Sequence, residues 1–212
     1  MGIIIEVKGA TKKFKDTTVF RNINLQIEEG KSYGFIGHNG SGKSVFFKTL
    51  CGYSLLSDGK IIYKGKVIGK DQDFIDNTGI VIETPDFLDD LSGFKNLKIL
   101  AEIRKIISNE DILNVMLEFD LLDVKDKKVS KYSLGMKQKL RLAQAIMEKP
   151  QMLILDEPMN GLDKRSVEKV KEILHNFIKE GGTLLMTSHN SDDINDCCEY
   201  VYEFDDENLI KI

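Results

Sequence analysis

Apolar and polar positions change rhythm several times along the chain, and each change marks an element. Ile3–Val7 is a short β-branched run, and Phe20–Ile27 alternates apolar with polar residues as a strand with one buried face does. Glu28-Glu29-Gly30-Lys31 reads as a turn into a second apolar run, Ser32–Ile36, and Val45–Leu50 then reads as the opening turns of a helix that Gly52 can end. Lys60–Lys66 has the pattern of a hairpin, and Gly79–Ile82 that of a compact buried strand stopped by Pro85. From about Leu91 to Asp126 the period becomes helical. Leu97, Leu100, Ala101 and Arg104 begin one stripe, while Ile112, Val115, Met116 and Phe119 form another. Strand periodicity returns at Met152–Leu155 and Thr183–Thr187, on either side of a helix over about Arg165–Lys179. Strands alternating with helices predict an α/β fold whose parallel sheet is covered on both faces. No internal repeat, low-complexity tract or linker interrupts the pattern.

Two segments of this pattern carry chemistry. Gly37-His38-Asn39-Gly40-Ser41-Gly42-Lys43-Ser44 fits G-x-x-x-x-G-K-[ST] and lies between a predicted strand and a predicted helix. Glycines let the backbone wrap closely around an anion, and successive N–H groups up to the helix start at Val45 then point at phosphate oxygens. Lys43 is expected on the β- and γ-phosphates and Ser44 on Mg²⁺. A glycine-rich turn with a surface lysine is the plainer reading, and the strand-and-helix context argues against it. The second segment is Met152–Leu155, an apolar strand that ends in adjacent carboxylates, Asp156 and Glu157. Ligands of open α/β sheets bind at that strand edge. Asp156 is suited to the Mg²⁺ shell, and Glu157 to orienting the attacking water or taking its proton. A water-activating carboxylate inside the chain, with no N-K-x-D element, favours an ATPase over a guanine-specific switch.

Bulk properties narrow the class further. The 212 residues form one large domain or a domain with an insertion, and 42% hydrophobic with 30% charged residues are the proportions of a globular protein. A net charge of −4 argues against phosphate-backbone binding as the main task, so no nucleic-acid partner is expected. No apolar stretch approaches a membrane span and the N-terminus has no signal-peptide pattern, so a cytoplasmic protein is expected, with any membrane role exerted through a partner. Cys51 reads as a small core residue, and the adjacent Cys197 and Cys198 lack metal-site spacing.

Along essentially its whole length the chain resembles the nucleotide-binding subunits of ATP-binding cassette (ABC) transporters. Phe14, in Thr11-Lys12-Lys13-Phe14, stands where that family places an aromatic residue that stacks on adenine, and Gly37–Ser44 and Met152–Glu157 stand as its Walker A and Walker B elements. Asn160-Gly161-Leu162-Asp163 looks like the D-loop, His189 in Thr187-Ser188-His189 like the switch histidine, and Tyr132-Ser133-Leu134-Gly135-Met136 occupies the place of the L-S-G-G-Q signature. The resemblance implies a P-loop NTPase core in which residues 1–90 and 137–212 form a RecA-like unit plus an N-terminal antiparallel β subdomain. Residues from about 91 to 136 would form an inserted helical subdomain. It further implies ATP and Mg²⁺ as cofactors. Glu157 and His189 become catalytic. Phe14, Gly37 to Val45, Glu83, Ser133, Gly135 and Asp163 contact nucleotide, and Ser44, Glu83 and Asp156 serve the metal.

Two departures from the family pattern are informative. Glu83, in Glu83-Thr84-Pro85, replaces the usual glutamine, and the signature has Leu134 and Met136 in place of glycine and glutamine. Both resemble the subgroup that exports bacitracin, lantibiotics and similar peptides in self-protection. The implied partners are a second copy in head-to-tail contact and a membrane permease, with the subunit held peripherally on the inner face of the membrane. Permease docking falls to the helical insertion and the segment after Glu83, including Phe87, Leu88 and Leu91, which read equally well as core. A cassette ATPase acting on nucleic acid or in assembly is the alternative, and it usually carries long coiled-coil insertions or paired cassettes that this chain lacks.

Overall fold

In a computed structural model that describes residues 2–83 and 87–212, the expected strands and helices assemble around two sheets. Chain order is β1 (Ile3–Phe14), β2 (Thr17–Glu28), β3 (Ser32–Ile36), α1 (Lys43–Cys51), β4 (Asp58–Tyr63), β5 (Lys66–Val67) and β6 (Thr78–Val81). The helices α2 (Gly93–Arg104), α3 (Asn109–Glu118) and α4 (Leu134–Ile146) follow, then β7 (Met152–Leu155), α5 (Lys164–Lys179), β8 (Thr183–Thr187), α6 (Ser191–Cys197), β9 (Tyr200–Asp205) and β10 (Asn208–Lys211). An antiparallel sheet has the order β2-β1-β4-β5, and a second sheet the order β10-β9-β3-β8-β7-β6, parallel except at its β9–β10 edge.

The second sheet is apolar on both faces, which is why its strands read as continuous hydrophobic runs. Successive residues of β7 serve opposite layers. Met152 and Ile154 pack with the antiparallel sheet and with Phe46 and Phe47 of α1, whereas Leu153 and Leu155 pack with the helices. Leu184, Leu185 and Met186 of β8 alternate in the same way. Phe46 of α1 contacts Phe35 and Phe204, with ring centroids 5.8 and 5.5 Å away, and these contacts seat α1 on the sheet. Cys51 is fully buried there, and burial pushes its thiol pKa up.

The first strand runs on to Phe14, well beyond the Ile3–Val7 that alternation predicts. Its register shifts between Val7 and Ala10 and again near Lys12, so Ala10, Thr11 and Lys12 are buried in succession and the period-2 signal is lost. The last three elements, α6, β9 and β10, lie outside the expected pattern altogether. α6 is only seven residues long, and β9 is half-exposed over most of its length, so neither presents a clear periodicity. Within the insertion, Leu97, Ala101, Ile112, Val115, Met116 and Phe119 are buried as expected, whereas Arg104 turns outward to pair with Glu148 at 2.7 Å. Phe87 packs on the core and Leu88 is exposed, while buried Asn96 holds the backbone of Leu88 at both its N–H and its C=O. The expected strand stop at Pro85 lies outside the described residues.

A charged strut positions the last part of the core. Lys171 of α5 is nine-tenths buried and lies 2.9 Å from Asp193 and 2.7 Å from Asp196, both on α6. Those carboxylates hold the ammonium charged against its desolvation and raise its pKa. Asp193 is buried too, so it depends on Lys171 for neutralisation, whereas Asp196 is half-exposed and largely screened by solvent. Because α6 starts two residues after His189, this strut also bears on where the residues of the β8–α6 turn lie. Lys171→Met removes the cation and keeps the aliphatic stem. It is expected to lower unfolding stability by about 3 kcal/mol in urea titrations, and a loss below about 1 kcal/mol would show that the strut is not a structural element.

Candidate nucleotide-binding and hydrolysis site

β3 passes into α1 through Gly37–Gly42, and the loop conformation is one that side chains would obstruct. Gly42 has φ of 101°, and a Cβ on it would lie 2.8 Å from Cγ1 of Val19. Gly37 has φ of 144°, and a Cβ there would lie 2.8 Å from Ser41 Oγ and 2.9 Å from the carbonyl of Phe204. Gly42 is the N-cap of α1 and no side chain caps the helix, so the first-turn amides of Lys43, Ser44 and Val45 are left without intrahelical acceptors. Lys43 reaches back along the loop, donating to the carbonyls of Gly37 at 2.8 Å and His38 at 3.0 Å. Ser41 Oγ is buried and has no hydrogen-bond partner among the described residues. Uncapped amides, a lysine and an orphaned hydroxyl converge at one helix N-terminus, which is the donor set a polyphosphate requires. His38 and Asn39 remain exposed on the loop, and Gly40 has open space where a Cβ would be. A cavity of about 570 Å³ beside the loop is lined by Thr17, Thr18, Val19, His38, Gly40, Ser41 and the β9–β10 turn.

Facing this positive end are the two acids that follow β7. The Asp156 N–H donates to the Val81 carbonyl at 2.7 Å, extending the β6–β7 ladder by one bond. Glu157 then enters the left-handed region with φ of 51°, a conformation that costs a non-glycine residue strain and turns its carboxylate away from that of Asp156. Ser44 Oγ donates to Asp156 Oδ2 at 2.5 Å. Glu157 Oε2 lies 2.8 Å from His189 Nδ1 and accepts the His189 backbone N–H at 3.2 Å. The expected catalytic pair is therefore in direct contact.

Sequence reasoning missed Thr187 at this site. Its hydroxyl donates to Asp156 Oδ1 at 2.7 Å and accepts the Glu157 N–H at 2.9 Å. The available signal was a hydroxyl at the C-terminal end of an otherwise apolar strand, on the edge that also carries the acids. Glu83, expected beside the metal, forms an ion pair with Lys48 of α1 at 2.5 Å, with both side chains partly exposed. The negative charge that distinguishes Glu83 from glutamine is thus countered within the chain. Ser44 and Asp156 remain as a hydroxyl-and-carboxylate pair. That hard-oxygen set fits Mg²⁺, which takes few protein ligands and completes its shell with phosphate oxygens and water. Among the described residues no group of three His, Cys, Asp or Glu could hold a metal by itself.

The remaining expected residues lie elsewhere on the surface. Ser133 is the N-cap of α4 and accepts the Met136 N–H at 3.2 Å. A Cβ on Gly135 would lie 3.0 Å from the Gly161 carbonyl, and Leu134 packs on Gly161 while remaining 65% exposed. Asp163 is the N-cap of α5, and its bond from the Ser166 N–H lowers its pKa. Phe14 is 51% exposed at the end of β1, with the ammonium of Lys12 4.5 Å from its ring centroid. α4 is in turn fastened to the acid loop by buried Gln138, which donates to the Pro158 carbonyl at 2.9 Å.

Known proteins share both the sequence and the fold. The family model described as ABC transporter matches residues 20–160. An uncharacterized ABC transporter ATP-binding protein of Bacillus subtilis, YybJ, is 44% identical over 94% of this chain and 92% of its own length. The bacitracin transport ATP-binding protein BcrA of Enterococcus faecalis is 35% identical over 100% of this chain and 69% of its own. Among solved structures, the dimeric MJ0796, a bacterial ABC transporter cassette, superposes with a TM-score of 0.86 at 22% identity, covering 97% of this chain and 96% of that one. Sequence and fold together make this chain a member of the ABC transporter family, one of its ATP-binding, ATP-hydrolysing subunits.

Proposed function

We propose that the chain is one half of a head-to-tail pair that drives a separate membrane permease. The observation that carries this reading is the separation of the two halves of the site within one chain. The phosphate loop packs against Val19 and Phe204, whereas Ser133 and Gly135 sit at the start of α4 against the D-loop residue Gly161. A second copy in head-to-tail contact supplies the missing half, with its Ser133 hydroxyl, Gly135 and α4 N-terminus closing over the γ-phosphate. The exposed Leu134 is then covered by the partner, and the D-loop, through Asp163, lies in the same contact.

Each residue has a role in this arrangement. Phe14 offers its open face to adenine, and Gly37 to Val45 wrap the phosphates. Lys43 neutralises their charge in place of the loop carbonyls it now contacts. When bound, Mg²⁺ would be held by Ser44 and Asp156 and would screen the charge on the β- and γ-phosphates. Glu157 takes a proton from the attacking water as the bond between the γ-phosphorus and the bridging oxygen to ADP breaks. His189 orients the Glu157 carboxylate through Nδ1 and presents the rest of its ring to the γ-phosphate.

Coupling requires a membrane partner. Among the described residues no helix is long and apolar enough to cross a membrane. In this reading the subunit sits at the inner membrane face through a permease that contacts the segment after Glu83, where Leu88 is exposed. The relationship to a bacitracin transport protein, together with Glu83 and Leu134, supports export of a peptide antibiotic or a similar amphipathic compound. Alternation between open and closed pairs follows from nucleotide binding the closed state more tightly.

Glu157→Gln keeps size and hydrogen bonding while removing the base. It is expected to bind ATP as the parent does, to lose turnover by a factor of about 10² or more, and to accumulate as a dimer by light scattering in ATP. Parental hydrolysis by this variant would exclude Glu157 as the base. Specific ATPase activity of the parent should also rise with protein concentration, because each site needs two chains. A specific activity that stays constant from nanomolar to micromolar protein, with a monomeric mass throughout, would contradict the shared site.

A further inference from the structure

We propose that Thr187 is a positioning residue for hydrolysis, one whose single hydroxyl aligns Asp156 and Glu157 together. This rests on the reading above of Asp156 as a metal carboxylate and Glu157 as the base. A threonine hydroxyl has one proton to give and lone pairs with which to accept. Because the Glu157 N–H already donates into the oxygen, the hydroxyl proton is directed to Asp156 Oδ1. That bond fixes the rotation of the Asp156 carboxylate, so Oδ2 is the oxygen presented to Ser44. The same hydroxyl holds the backbone of Glu157 in its left-handed conformation, from which the side chain reaches His189.

Among the described residues no other hydroxyl is bonded to both groups. Thr187 is fully buried, so its loss removes from the Glu157 N–H and from Asp156 Oδ1 the partner that each has here. Its neighbour Ser188 uses its own hydroxyl for the Asn190 N–H, and the next residue is His189. Thr187 therefore ties the turn that carries His189 to the turn that carries the acids. Loss of a hydrogen-bond partner behind a metal ligand typically costs 10–100-fold in metal affinity or activity, and a loss in that range is expected here.

Thr187→Val keeps the shape and β-branching of the side chain without the hydroxyl, and Thr187→Ser keeps the hydroxyl. Binding of a fluorescent N-methylanthraniloyl ATP would be measured with Mg²⁺ and with EDTA, alongside the Mg²⁺ dependence of ATPase activity and thermal unfolding. Thr187→Val is expected to bind the metal-free nucleotide like the parent, to need about tenfold more Mg²⁺ for half-maximal binding, and to lose kcat by about 10–100-fold, with Thr187→Ser near the parent. If Thr187→Val does not fold, Thr187→Ala is held to the same expectation. Asp156→Asn separates the two levels of the argument. If it raises the Mg²⁺ requirement and Thr187→Val does not, the proposal for Thr187 falls while the metal assignment stands. If neither variant changes the requirement, the assignment of Asp156 fails and takes the proposal with it. A Thr187→Ser variant as impaired as Thr187→Val also overturns it, since shape and not the hydroxyl would then matter.

Discussion

One short bond, Ser44 Oγ to Asp156 Oδ2, joins two segments 112 positions apart and sets a helix N-terminus against a carboxylate. The uncapped amides of α1 carry a partial positive charge, and they are left without side-chain partners where the apolar sheet edge presents Asp156 and Glu157. Much of the core keeps these two features in line. Phe46 and Phe47 fix α1 on the sheet, and the alternating residues of β7 lock that strand between two apolar layers. A displacement of either element would separate the donors at the start of α1 from the acids proposed to act on the phosphate. This need for positional accuracy explains why the site lies on rigid elements and on turns of a few residues.

The sequence made the local parts of this arrangement legible and left the non-local parts hidden. Gly37–Ser44 could be read because the loop, its strand and its helix are contiguous, so one window holds the whole device. Asp156 and Glu157 could be read because an apolar run ends in them abruptly. Thr187 could not, since its importance comes only from lying beside β7 in the sheet, and a terminal strand threonine has many ordinary uses. The pairing of Glu83 with Lys48 was hidden for the same reason. Expected as a metal residue, Glu83 meets a cation from α1, a partner that charge patterning along the chain does not single out. β1 was read too short because its bulges place residues of both kinds on one face.

The departures from the commoner family pattern fall on the parts that face outward. Within the fold, Lys43, Ser44, Asp156, Glu157 and His189 form a connected set, whereas Glu83 and Leu134 sit at the exposed margins. A leucine at the signature position adds an apolar side chain over Gly161, where glycine would add none. In the proposed head-to-tail pair, changes at such margins would tune how two copies meet and how a permease is engaged, while leaving the hydrolytic centre as it is. Lys171 continues the same logic inward, since it ties α5, which begins at the D-loop, to α6, which begins after His189. Two surface loops that would both contact the partner are thereby held by one buried cation.

The central claim is that the site is shared between two chains, and complementation tests it most directly. Lys43→Ala disables the phosphate loop, and Ser133→Arg disables the signature. Each variant alone should be inactive, and both should fold, as judged by thermal unfolding. In a head-to-tail pair formed from one of each, the intact loop of one chain meets the intact signature of the other. Mixing the two variants should therefore restore ATPase activity well above the sum of the two measured separately. Activity that stays at that sum, under conditions where mixed dimers are shown to form, would contradict the account.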